Sequence, residues 1–213
     1  MNRFATALLV AGGFVAAACA PAAAGVPSAA NSSLPACMAL CPMGDMPFTV
    51  TIRDFANNPI AGSSVTLSFG GCPASAFICD PLPSDPYTTD LTLRTLRMFT
   101  DAAGKATFPA RVGGTGAAGC AAVFADGVPM RNYALASPDQ NGNGMCVSLI
   151  DTDDAIFALK LGLADPTADF DCSGGPVDAA DEAIFFSHHS HACLGFVDPV
   201  QRNTWGSLKL HYR

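Results

Sequence analysis

Charge is scarce in this chain. Asp, Glu, Lys and Arg make up 14% of 213 residues, and acids outnumber bases 18 to 11. With a pI near 4.7, the sequence lacks the basic footprint that nucleic-acid binding demands. Trp and Tyr are few, at one and three residues, so little is present on which a sugar ring stacks. Catalytic signatures are missing too: there is no G-x-S-x-G elbow, no H-E-x-x-H pair and no P-loop. Aspartates abundant enough for a glycosidase pair sit mostly in two loops with another use. The reading is therefore a protein without enzymatic activity. Beyond the N-terminal leader no apolar run approaches the roughly 20 residues of a membrane-spanning helix.

Glycine and proline are plentiful instead, 20 and 16 residues, which favours a turn-rich β protein over a helical bundle. Residues 1–24 read as a signal peptide. Arg3 supplies the positive start, Phe4 to Ala18 the apolar run, and Ala22-Ala23-Ala24 a small-residue cleavage site. Cys19 offers an alternative lipid-accepting site, but no bulky aliphatic residue stands three positions before it. Export to the cell surface or the extracellular space follows, with release into solution preferred. Of nine cysteines, Cys37, Cys41, Cys72, Cys79, Cys120, Cys146, Cys172 and Cys193 remain in the mature part. An even number in an exported chain points to disulfides, although eight cysteines allow roughly a hundred connectivities. A local Cys72–Cys79 bridge is the first expectation. Cys37 and Cys41 have a spacing that zinc sites permit, but no second cysteine pair or histidine pair accompanies them.

After a cysteine-containing linker at 25–46, residues 47–136 carry a period-two pattern. Phe48, Val50 and Ile52 alternate with Thr49, Thr51 and Arg53, and Val65, Leu67 and Phe69 repeat the pattern. Leu91 and Leu93 are assigned to the next strands. Asp101-Ala102-Ala103-Gly104 is read as a short hairpin connection, and Asp126-Gly127 as the strongest hairpin turn of the chain. Six to eight short strands with regular turns predict an antiparallel β-sandwich of Ig-like size. The stretch Phe48 to Leu67, with Asn58-Pro59-Ile60-Ala61-Gly62 inside it and Thr100-Asp101-Ala102-Ala103-Gly104-Lys105-Ala106 downstream, resembles the bacterial Ig-like domains of invasin-type surface proteins. That resemblance implies a spacer or adhesion module.

Residues 137–195 are organised differently. Asp139-Gln140-Asn141-Gly142-Asn143-Gly144 and Asp169-Phe170-Asp171-Cys172-Ser173-Gly174 each place oxygen-bearing side chains at the first, third and fifth positions, with glycine sixth. This arrangement lets a short segment wrap a hard cation such as Ca²⁺, which takes about six to eight oxygen ligands. Each loop leads into an acidic helix start. Aligning Asp153 with Asp181 also aligns Asp154 with Glu182, Ala155 with Ala183, Ile156 with Ile184 and Phe157 with Phe185. A pseudo-symmetric pair is expected, burying Ile156, Phe157 and Leu159 against Ile184, Phe185 and Phe186.

The duplicated unit resembles the type I dockerin repeat of secreted bacterial proteins. The resemblance implies a small all-α module of EF-hand-type loop–helix repeats, Ca²⁺ as its ion and a cohesin-like or other cell-surface protein as its partner. By position, the first loop's ligands would be Asp139, Asn141, Asn143, the Met145 carbonyl, and Asp151 or Asp153. The second would use Asp169, Asp171, Ser173, the Gly175 carbonyl and Asp181. The closing acids fall later than the twelfth position of an EF-hand loop: Asp151 and Asp181 by one residue, Asp153 by three. The fold expectation is thus mainly β, an Ig-like sandwich followed by a dockerin-like pair. The function expected is calcium-dependent assembly or attachment outside the cell. The competing function is an accessory protein that binds polysaccharide. His188, His189 and His191 end the second helix and could bind Zn²⁺ or Cu²⁺, but with no acidic partner apparent they are read as complementing its dipole. Residues 196–213 form a tail in which Trp205, Leu208 and Tyr212 could share a helix face.

Overall fold

A computed structural model describes residues 25–146, 152–188 and 190–193. The leader with Cys19, the proposed ligand Asp151, His189 and the tail lie outside those residues. Ten strands and two helices follow in order: β1 (Met38–Ala39), β2 (Phe48–Thr51), β3 (Ser64–Ser68), β4 (Phe77–Ile78), β5 (Thr88–Asp90), β6 (Thr95–Phe99), β7 (Lys105–Phe108), β8 (Val112–Gly113), β9 (Gly116–Ala125), β10 (Val128–Ala136), α1 (Asp153–Ala158) and α2 (Ala179–Ser187).

The period-two pattern is realised where it is clearest. In β2, Phe48 and Val50 are buried while Thr49 and Thr51 are half-buried; in β3, Val65 and Leu67 point into the core. Successive side chains leave a strand on opposite faces, so alternation alone sets the inward face. The Asp126-Gly127 turn joins β9 to β10, with φ of 48° and 80°. Both central residues are left-handed, as the tightest hairpins require.

The architecture departs from an Ig-like sandwich followed by an all-α pair. One six-stranded sheet, ordered β1-β10-β9-β3-β6-β5, is accompanied only by the two-stranded ribbons β2-β7 and β4-β8. It curls into a half-barrel, and the described residues are mainly β with 9% helix. Asp101–Gly104 does not close a hairpin, because β6 pairs with β3 and β5 while β7 pairs with β2. That turn instead carries the chain from one sheet to another. Leu91 and Leu93 are exposed and precede β6. The Asp90 carboxylate accepts a hydrogen bond from Leu93 N at 2.9 Å, closing a turn where a strand was expected.

The helices are too short for a module of their own. They have six and nine residues, below the length at which a helix persists without tertiary support. Phe157, Phe170 and Phe185 share a small core with Ala136, Ala168 and Val177, and Ala39 and Met46 pack against it. Phe157 and Phe185 stack with centroids 4.3 Å apart. Leu159 and Phe186, expected inside, are 79% and 49% exposed.

Covalent ties join this part to the sheet. Cys37–Cys172, Cys72–Cys120 and Cys79–Cys193 are disulfides. The local Cys72–Cys79 bridge does not form. Cys72 follows β3 and meets Cys120 of the adjacent β9, with 4.4 Å between Cα atoms. The β4-β8 ribbon separates Cys79 from it and directs Cys79 toward Cys193. Among the described residues no helix is long and apolar enough to cross a membrane.

Candidate metal centres

Both acidic loops are organised by their own side chains in the same pattern. In the first, the Asp139 carboxylate accepts hydrogen bonds from the backbone N–H groups of Gly142 (2.8 Å), Asn143 (3.0 Å) and Gly144 (3.0 Å). Asn141 Oδ1 accepts from Asn143 N, and Asn143 Oδ1 from Met145 N, each at 2.9 Å. Asp153 reaches back and accepts from Asn141 N at 2.9 Å.

The second loop repeats most of these contacts. Asp169 accepts from Ser173 N and Gly174 N, both at 3.0 Å. Asp171 accepts from Ser173 N at 2.9 Å, and Ser173 Oγ from Gly175 N at 3.3 Å. Asp181 closes the loop by accepting from Phe170 N (2.7 Å) and Asp171 N (3.1 Å). The same carboxylate takes Asp178 N at 3.0 Å, completing a capping box at the start of α2. Asp153 and Asp181 therefore occupy equivalent places, as the internal alignment predicts.

The loops differ in what they gather. Carboxylate oxygens of Asp169, Asp171 and Asp181 lie within 4.8 Å of one another. Burial is the main cause pushing the Asp169 carboxyl above the usual carboxylate range, and the proximity of Asp171 and Asp181 adds to it. Asp171 is exposed, and the Ser173 N–H holds its carboxyl below the usual range. In the first loop, Asp139 and Asp153 are fully buried, and the remaining expected side-chain ligands among the described residues are neutral Asn141 and Asn143.

Met145 and Gly175, expected to contribute carbonyls, stand at the seventh position of each loop. Met145 also forms an isolated bridge with Ala192. Asp45 is a functional candidate that the sequence did not offer. Its carboxylate lies 2.8 Å from His191 Nδ1 and 3.7 Å from His188 Nε2, so the histidine cluster does have an acidic partner. A separation of more than 140 residues hid the pairing. Nearby, Cys41 and Cys146 are unbridged and buried. Hydrogen bonding to Cys41 and burial push the Cys146 thiol far above its ordinary range.

No protein-family model, curated protein or solved structure matches the chain.

Proposed function

We propose that this is an exported, non-catalytic calcium-binding protein whose paired loops serve attachment or assembly outside the cell. The observation that carries the proposal is the Asp169, Asp171 and Asp181 cluster. Three carboxylates converge within 4.8 Å, and among the described residues none of them has a Lys, Arg or His counter-ion. Every donor in the loop is a hard oxygen, which suits Ca²⁺ and disfavours thiophilic ions. Ser173 Oγ and the Gly175 carbonyl are the neutral donors that would complete the shell. The first loop, with fewer charged donors, is the weaker site, since affinity in such loops follows ligand charge.

Attachment is supported by the surface beyond α1. Leu159, Leu161 and Leu163 are 79%, 41% and 55% exposed, an apolar stretch of the kind that marks a protein contact. For the polysaccharide reading there is less. Tyr87 and Tyr133 are buried, so neither presents a flat ring to a sugar.

Calcium titration of the full chain, disulfides intact, tests the proposal by calorimetry against a chelator-treated control. Saturable binding at the second loop, lost in Asp171→Asn, is the expected result. An isotherm flat up to millimolar calcium would leave the loops as helix caps only.

A further inference from the structure

We propose a second metal site, distinct from the oxygen loops and specific for a thiophilic transition-metal ion of the Zn²⁺ class. Its ligands are Cys41, Cys146, His191 and Asp45. The site lies where the β1 segment, the loop before β2, the end of the first acidic loop and the residues after α2 meet.

The geometry supports coordination. Cys41 Sγ and Cys146 Sγ are 3.8 Å apart. A tetrahedral ion with Zn–S bonds of about 2.3 Å sets its two sulfurs about 3.8 Å from each other. Cys41 Sγ is 3.9 Å from His191 Nδ1. Bonds of about 2.3 and 2.0 Å would place that pair about 3.5 Å apart, a few tenths of an ångström closer. Ligand atoms of Cys41, Asp45 and His191 all lie within 4.8 Å of one another, and Cys146 joins this group through its approach to Cys41. The 2.8 Å between Asp45 and His191 Nδ1 is a hydrogen-bond distance that would open to about 3.3 Å on coordination.

A nucleophilic triad is the obvious rival reading of a Cys, His and Asp group, and the geometry argues against it. A triad needs the acid on one imidazole nitrogen and the nucleophile on the other. Here Asp45 and Cys41 both face Nδ1 of His191. With both groups on one nitrogen, the imidazole cannot relay a proton from thiol to acid.

The surroundings also suit a metal. His188 Nδ1 lies 2.8 Å from the Ile184 carbonyl. Donation from that nitrogen fixes the ring with Nε2 3.7 Å from the Asp45 carboxylate. Such outer contacts orient first-sphere ligands in metal sites. Asp45 and His188 line an apolar cleft of about 270 Å³ that also touches Met46, Phe48 and Phe170, giving an ion a route from solvent. The two thiols are buried, as thiolate ligands in stable sites are.

The test uses the full chain carrying Cys19→Ser, with its three disulfides formed, stripped by chelator, and Co²⁺ as a spectroscopic probe displaceable by Zn²⁺. One equivalent should produce sulfur-to-metal charge transfer together with tetrahedral d–d bands. Cys146→Ser should abolish the charge transfer, and His188→Ala should weaken binding by about 10- to 100-fold. Asp171→Asn, which disables the calcium loop, should leave the cobalt spectrum unchanged, so the two proposals fail separately. Thiol counting on unfolded, unreduced protein supplies the opposing arm. A Cys41–Cys146 peptide pair two hydrogens lighter, with no reactive thiol, would overturn the site in favour of a fourth disulfide. Two free thiols without cobalt bands would overturn it as well.

Discussion

The two acidic loops share one hydrogen-bonding plan and use it for different ends. In the first, Asp139 is fully buried, and its carboxylate lies against the place where a Cβ on Gly113 would project. Gly142 of that loop stands directly on the Ser75 carbonyl. The second loop faces outward: Asp171 is exposed, and a Cβ on Gly174 would meet nothing within 4 Å. A duplicated motif has thus become a wedge against the sheet in one copy and, in the other, a cluster in which exposed Asp171 stands beside buried Asp169 and Asp181. Equal sequence patterns do not imply equal access.

The largest expected effect comes from cutting the tie that holds the second loop. Cys37–Cys172 spans 135 residues, and closing a loop of that order stabilises a fold by about 4–5 kcal/mol on the chain-entropy account. Replacing both cysteines by alanine should lower the melting temperature sharply. Amide exchange should accelerate first around 169–175, while residues 139–144 stay protected by their seat on the sheet. Uniform loss of protection in both loops would erase the distinction drawn between them.

A matched pair of glycine substitutions probes the comparison more locally. Gly142 and Gly174 have nearly equal left-handed φ values, 73° and 70°. Alanine at either position incurs a backbone penalty of roughly 1–2 kcal/mol. Only Gly142→Ala also drives a methyl group into the Ser75 backbone, adding about 1–3 kcal/mol of overpacking. Urea denaturation should therefore separate the two variants clearly, with Gly142→Ala the less stable. Equal losses would show that the first loop is not wedged against the sheet.

Much of this asymmetry was beyond what the sequence expresses. Local patterns were readable: the alternation in β2 and β3, the Asp126-Gly127 hairpin, and the matched starts of α1 and α2 all depend on near neighbours in the chain. The compact turns of the two loops were readable to the same degree, because Asp139 and Asp169 reach only five residues along the backbone. What required the fold was every long-range partner. Cys72 chooses Cys120 over the nearby Cys79 because strand order places β9 beside β3. Asp45 meets His191 across the whole β region, and period-two alternation carries no information about such encounters. Likewise, alternation marks strands but does not say how many sheets they form, which is why a sandwich was expected where a single sheet curls. Leu159 and Phe186 were assigned inward on helical spacing, yet helices of six and nine residues lack the length to bury a full stripe.

The smallest effect, and the one that tests whether the loops communicate, concerns Lys160. Its Nζ donates to Gln140 Oε1 at 2.6 Å and to Thr167 Oγ1 at 2.5 Å, with Asp165 Oδ2 at 3.6 Å. Gln140 belongs to the first loop and Thr167 leads into the second, so this ammonium bridges them. Burial pushes the Lys160 ammonium pKa below its ordinary value, with Asp165 working in the opposite direction. The net worth of the bridge is accordingly modest, about 1 kcal/mol, and Lys160→Met should cost no more than that in urea denaturation at neutral pH. Asp165 supplies a pH signature. Burial pulls its carboxyl upward, but hydrogen bonds from Thr167 outweigh this, with Lys160 helping, and the net shift is downward. A depressed carboxyl contributes stability above its unfolded value of 3.8, and that contribution is lost as pH falls through the lower folded value. Removing Lys160 reduces the depression, so the variant and the parent chain should converge in stability as the pH drops below that window. If the loops are independent, the second loop's calcium isotherm will be identical in Lys160→Met. A shift of that isotherm would mean that the buried wedge of the first loop is felt at the accessible carboxylates of the second.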